Sequence, residues 1–341
     1  MLFTTSCYLT DLELSKFEHQ VLREVVGGDC CNRWADKSCC TIFFKNGLSG
    51  GSFDHTPMDG FCTAVITHYV TNSLMECKGV FQGKDKFRDF PKPELLDFHV
   101  DDLVFKEIEK AKSVFRTNTE DVSCIIKFFD GFGKAILREH RFHPEAFVQV
   151  ALQLAYYRMY GNPASTYVTA TTRRYYHGRT ETCRACFPEN VDFAKAVIDG
   201  SASPDQLYSL LKKAISKFQS MMSDASNNEG CDRHFLGLYM IAQEEGLEMP
   251  SIFADPAFMR SGGGGNYVLS TSCAGYWSVG GGVPPMVKHG YGAFYGIEDN
   301  RITFTITCFK SCPENNCDAF FNNIALSLKN MENILKLGSK L

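Results

Sequence analysis

What this sequence of 341 residues lacks removes several classes of function. No apolar stretch approaches the ~20 residues of a membrane-spanning helix, since the most apolar run, 146–157, is short and interrupted by glutamines. Neither charge sign is in excess: 35 Lys+Arg stand against 39 Asp+Glu, a net charge of −4. Binding to nucleic acid through its phosphates is therefore not expected. The opening MLFTTSCYLTDLEL has no basic region and meets Asp11 and Glu13 early, so no secretory leader is expected. No repeat is present, and no low-complexity segment apart from Gly262–Gly265. That run follows no predicted strand and opens no predicted helix, which makes it a turn and not a phosphate loop. A G-x-S-x-G nucleophile elbow is absent, and no cysteine sits in a recognisable protease context.

What is there is a globular chain, 44% hydrophobic and 22% charged. Its length allows two packed units, because single cores stop growing near roughly 250–300 residues. The fifteen cysteines are odd in number, and the adjacent pairs Cys30/Cys31 and Cys39/Cys40 suit disulfides poorly. Free thiols in a reducing compartment are expected. Cys183 and Cys186 form one C-x-x-C, and Cys312 and Cys317 a looser pair. A zinc site needs a second pair or histidines at matching spacing, so no metal is expected.

Helices and strands alternate along the chain, an α/β or α+β pattern. Segment 41–54 reads as two short strands around the hairpin dipeptide Asn46-Gly47. The run 61–70 is helix or strand, and periodicity does not decide. Residues 78–98, rich in charge, glycine and proline, read as a connection. Leu103, Val104, Ile108, Ala111 and Phe115 recur at helical spacing, and Val122 to Phe129 reads as a strand. Pro144 opens a helix with Phe147, Val150, Ala151, Leu154 and Tyr157 along one face. Further helices are predicted at 205–222, 233–246 and 317–337. NYVLSTS, GAFYGI and RITFTITCF are predicted strands.

Three stretches could carry chemistry. FDHTPMDG, 53–60, places His55 four residues before Asp59 at a strand end. Histidine has the ordinary pKa of a general base at neutral pH, and a nearby carboxylate can hold it or stabilise its cation. Without a nucleophile of its own, such a histidine suits deprotonation of a substrate hydroxyl; a plain turn is the simpler alternative. YVTATTRRYYHGRTET, 167–182, packs hydroxyls, arginines and aromatics. It is either a solvated polar segment or a site for a small zwitterion with a carboxylate. Ser270-Thr271-Ser272 offers hydroxyl donors to a developing oxyanion. Of the other histidines, His68 and His99 read as core or edge residues and His140 and His143 as surface. His177 and His234 lie beside the polar clusters as possible supports.

Together these stretches resemble the carnitine/choline acyltransferase family. The matching strings are Asn32-Arg33-Trp34 with Asp36-Lys37-Ser38, FDHTPMDG, RFHPEAFVQVALQLAYYRMYG and YYHGRTETCR. They continue with CDRHFLGLYMIAQEEGL, SGGGGNYVLSTS and PMVKHGYG. The resemblance runs from about residue 20 to the end. It implies an α/β fold of two related units, each similar to chloramphenicol acetyltransferase, with the active site in a tunnel between them. Family members are about twice this length, so the first unit is expected to be truncated. Residues 1–100 would be the closing part of the first unit with the catalytic histidine. Residues 101–341 would be the second unit with the carnitine and CoA sites. Uncovered apolar surface and an open sheet edge should follow.

The resemblance also implies roles. His55 matches the base that takes the proton of the carnitine hydroxyl, Asp59 its acidic partner and Ser272 the oxyanion hydroxyl. Tyr167, Thr169, Thr180 and Arg233 match the groups that bind the carnitine carboxylate. Lys134, Arg138 and Glu145 match positions that contact coenzyme A. Val168 departs from a glutamate common in the family. Thr180, Thr182 and Arg233 favour carnitine over choline, which has no carboxylate. Gly281 falls where short-chain relatives carry methionine, which implies a pocket for a medium acyl chain. The terminal Ser339-Lys340-Leu341 is a peroxisomal address read by an import receptor. The expected activity is acyl transfer between CoA and carnitine, with acyl-CoA as co-substrate and no tightly bound cofactor. The alternatives are a truncated remnant that cannot catalyse alone and an enzyme resembling choline acetyltransferase.

Overall fold

The computed structural model describes residues 2–5, 20–25, 27–34, 36–78, 80, 83, 91–276 and 279–338. The terminal address tripeptide lies outside them. The elements are β1 (Leu2–Thr5), α1 (residues 20–25), β2 (Cys39–Phe43), β3 (Ser49–Phe53), α2 (Gly60–Glu76), α3 (Asp102–Asp121) and β4 (Val122–Phe129). After them come α4 (Lys134–Glu139), α5 (Pro144–Tyr160), β5 (Thr166–Thr171), β6 (Thr180–Arg184), α6 (Pro188–Asp199) and α7 (Pro204–Ser226). The last are α8 (Asp232–Glu244), α9 (Pro256–Arg260), β7 (Leu269–Cys273), β8 (Gly280–Gly282), β9 (Tyr291–Ile297), β10 (Ile302–Phe309) and α10 (Cys317–Gly338). The class is mixed α and β.

Among the described residues two sheets form, one of four strands in the order β2-β3-β1-β8 and one of six in the order β4-β10-β9-β7-β5-β6. β7 runs parallel to both β5 and β9; the other pairs in the large sheet are antiparallel. β8 belongs by sequence to the C-terminal part, yet it pairs with β1 in the small sheet. The predicted hairpin is β2–β3, and Gly47 takes the positive φ of 85° that its turn demands.

The large sheet has two chemically different faces because side chains alternate along a strand. In β10, Ile302, Phe304 and Ile306 are fully buried in the main core under α5 and α10. Thr303 and Thr305 between them line a cavity on the opposite face. β9 repeats this, with Ala293 and Tyr295 in the core and Phe294 and Gly296 on the cavity. A Cβ at position 292 would come within 1.9 Å of the Val283 carbonyl oxygen, so only glycine lets the segment after β8 lie this close.

Several expectations change. The ambiguous run 61–70 is helical, inside α2. α5 is not amphipathic: every residue from Ala146 to Tyr156 is buried, so the helix runs through the core. α3 extends to Asp121 and shows the reverse, since its apolar spacing buries nothing and Leu103, Phe105 and Val114 are exposed. On α2, Phe61, Ile66 and Tyr69 also face solvent. His99 is exposed and not a core residue. The fourteen cysteines among the described residues are free thiols.

Candidate active site

His55 occupies the turn between β3 and α2, half exposed, with Nδ1 3.6 Å from Asp59 Oδ1. Asp59 is buried and stands at the N-cap of α2 without capping it through its side chain. Its carboxylate instead meets Arg179, whose Nη2 donates to Oδ1 at 2.9 Å. The same guanidinium donates to the backbone carbonyls of His55, at 2.6 Å, and Thr56, at 2.8 Å. One side chain thus fixes the histidine-bearing turn to the β5–β6 hairpin of the large sheet. Arg179 was legible only as one of three arginines in a polar run; its place beside Thr180 was the available signal.

The sheet register gathers the candidate carboxylate-binding groups. Opposed residues in neighbouring strands share a face, and Tyr167 pairs with Ser270, Ser272 with Phe294, Thr169 with Thr182 and Thr171 with Thr180. Tyr167, Thr169, Thr180, Thr182, Ser270 and Ser272 therefore stand on the face of the cavity wall, away from α5. Val168 is buried on the core face. Thr169 donates to the Tyr167 hydroxyl over 3.4 Å.

Arg233, in the first turn of α8, sends Nε to the Thr180 carbonyl at 3.1 Å and Nη2 to the Thr180 hydroxyl at 3.4 Å. Its neighbour Asp232 is taken by Arg184 in a two-pronged pair of 2.9 and 2.7 Å and by the Tyr267 hydroxyl at 3.0 Å. That pair holds the Arg184 guanidinium above its usual pKa, and burial raises the Tyr267 phenol. Asp232 thereby anchors α8 while Arg233 stays on the hydroxyl-rich face. His177 and His234 are exposed, and neither joins this cluster.

A cavity of about 500 Å³ opens on the same sheet face, within the usual range for ligand sites. Lys134 and Gly281 both line it, with Cys273, Tyr276, Val279 and Phe294. His68, read from sequence as a core or edge residue, is another wall residue, stacked on Tyr276 with ring centroids 4.5 Å apart. Lys134 opens α4 where its N–H donates to the Glu298 carbonyl at 2.8 Å, and its ammonium lies 3.7 Å from Asp299. A Cβ on Gly133 would approach that carbonyl oxygen to 2.2 Å, so glycine permits this junction. Arg138 follows one turn later and is exposed. Glu145, in the first turn of α5, is not on the cavity wall; burial raises its carboxyl pKa in surroundings that include Cys273 and Tyr295.

The Choline/Carnitine o-acyltransferase family profile matches residues 7–325. This chain belongs to that family. It is 42% identical over 318 residues to peroxisomal carnitine O-octanoyltransferase of Bos taurus, covering 93% of this chain and 52% of the relative. It is 45% identical over 299 residues to the Mus musculus protein of the same name, covering 88% and 49%. Choline O-acetyltransferase of Sus scrofa is 30% identical over 346 residues, covering 96% and 51%. The chain spans about half the length of the curated relatives it matches.

Proposed function

We propose that this family member moves a medium-chain acyl group between CoA and the hydroxyl of carnitine, with His55 as general base. The observation that carries the reading is the adjacency of Arg179 and Thr180. The first residue binds the His55 turn and Asp59; the second meets Arg233 on the hydroxyl-rich sheet face.

In the proposed reaction His55 removes the proton of the carnitine hydroxyl as that oxygen attacks the thioester carbonyl. Asp59 stabilises the imidazolium, as a carboxylate beside histidine does. The oxyanion of the tetrahedral intermediate accepts a hydrogen bond from Ser272. Collapse breaks the C–S bond, and the imidazolium returns its proton to the leaving thiolate. Arg233, Thr180, Tyr167 and Thr169 hold the carnitine carboxylate. A guanidinium at this position favours an alcohol bearing a carboxylate over choline. Lys134 on the cavity wall, with Arg138 one turn on, supplies cations for the phosphates of CoA. A CoA contact for Glu145 rests on the family resemblance alone, because its buried carboxyl is off that wall. Gly281 leaves room for the acyl tail, each buried CH₂ contributing ~0.8 kcal/mol.

The two-unit organisation, 1–100 and 101–341 in a chloramphenicol acetyltransferase-like fold, belongs to the same reading. The exposed apolar residues on α2 and α3 match the uncovered surface that this reading expects. The names of the relatives and the terminal Ser339-Lys340-Leu341 support a peroxisomal location through the import receptor. The test is octanoyl-CoA with carnitine, run on this chain and on the His55→Ala variant. Turnover that needs His55 supports the reading; equal rates with and without the imidazole refute it.

A further inference from the structure

α5 carries two glutamines, Gln149 and Gln153, one helical turn apart and almost wholly buried. Gln153 has a local task. Its Nε2 donates to the Ala164 carbonyl at 2.8 Å and to the Thr166 hydroxyl at 2.6 Å, closing the connection from α5 to β5. Gln149 reaches further. Its amide donates at 2.8 Å to the Thr271 hydroxyl and at 2.8 Å to the Tyr295 hydroxyl. Thr271, buried between Ser270 and Ser272, donates its own hydrogen bond to the Tyr167 carbonyl at 2.8 Å.

The Gln149 Oε1 is buried and has no donor among the described residues. A buried acceptor without a donor lowers stability, so the amide is kept at a cost. The amide makes sense by what it holds. β7 carries Ser270 and Ser272 on the cavity face and Thr271 on the core face, so a donor behind the strand can fix its position without touching ligand. The next link, the Tyr167 carbonyl, belongs to the strand that presents Tyr167 and Thr169. Tyr295 ties the same amide to β9, whose Phe294 lies opposite Ser272.

We propose that Gln149 is a positioning residue, acting through Thr271 to set the Ser272 hydroxyl and the Tyr167–Thr169 strand relative to one another. The inference rests on the acyl-transfer reading of the cavity face. It predicts a loss in the chemical step and in carnitine binding, with CoA binding through Lys134 little affected, because oxyanion geometry tolerates little displacement.

The experiment compares Gln149→Met, Thr271→Val, Thr271→Ser, Gln153→Met and Ser272→Ala in the whole chain. Turnover of octanoyl-CoA with carnitine is measured beside hydrogen exchange of the amides of residues 269–273. Gln149→Met and Thr271→Val should each lower kcat at least tenfold, leave the octanoyl-CoA KM within twofold, and speed exchange in β7 at least tenfold. Thr271→Ser, which keeps the hydroxyl, should restore both readouts. Gln153→Met should leave β7 exchange unchanged. Unchanged β7 exchange in both Gln149→Met and Thr271→Val overturns the proposal whether or not the chain turns over. So does a kcat within twofold of the parent, or a loss equalled by Gln153→Met. Should Gln149→Met fail to fold, Thr271→Val decides by the same criteria. Full activity in Ser272→Ala defeats the oxyanion role and with it the positioning claim for Ser272; the exchange data then still report whether Gln149 holds the strand.

Discussion

Arg179 and Asp59 are 120 positions apart in sequence, and their side chains meet at 2.9 Å. The carboxylate is buried and the guanidinium nearly half exposed. Removing the cation should leave a desolvated charge beside His55. Because the arginine is partly in water, the expected cost is about 1–2 kcal/mol, below that of a fully buried pair. Arg179→Gln should lower the urea midpoint accordingly and reduce turnover more than stability alone explains, since two backbone contacts of the His55 turn are lost as well. Turnover and urea midpoint both equal to the parent would remove Arg179 from the site.

His55→Ala should abolish turnover while CoA affinity, followed by calorimetry, stays nearly unchanged. The imidazole is not on the wall of the cavity that holds Lys134 and Gly281. Activity retained within tenfold would remove His55 as the base.

Arg233→Asn should raise the carnitine KM by roughly ten- to a hundredfold, the range of a charged hydrogen bond of about 1.5–3 kcal/mol. The acyl-CoA KM should stay put and the preference over choline should narrow. Steady-state kinetics with both alcohols checks this. An unchanged carnitine KM would sink the carboxylate-anchor role.

Gly281→Met should fill the cavity wall where the proposed acyl tail lies. At ~0.8 kcal/mol per excluded CH₂, displacing two or three methylenes should lower kcat/KM for octanoyl-CoA at least tenfold relative to acetyl-CoA. Competition between the two acyl donors gives the ratio directly.

Glu145 gives a prediction for pH. Burial raises its folded-state pKa above the ordinary 4.5. The unfolded chain then releases this proton first as pH rises, so its contribution to stability is greatest below pH ~4.5 and declines up to the raised pKa. Glu145→Gln removes the charge that burial penalises. Melting by calorimetry should show the variant with a higher Tm than the parent at pH 7 and an equal Tm near pH 4. A variant less stable at pH 7 would show that the carboxylate is compensated in the fold.

The sequence by itself determined the local pieces. Alternation in RITFTITCF and the turn dipeptide Asn46-Gly47 are properties of a few consecutive residues, and β10 and the β2–β3 hairpin stand where those patterns put them. The family strings likewise singled out His55, Thr180, Arg233 and Ser272. Burial was not legible in the same way. α3 has clear helical spacing and buries nothing, while α5 is enclosed on all sides, because burial depends on what packs against a helix and not on its own period. Tertiary structure alone decided that Arg179 would lock the His55 turn and that Gln149 would stand behind Thr271. Both contacts join residues more than a hundred positions apart, and hydrogen bonds of that span follow from sheet order and register, which no single segment encodes.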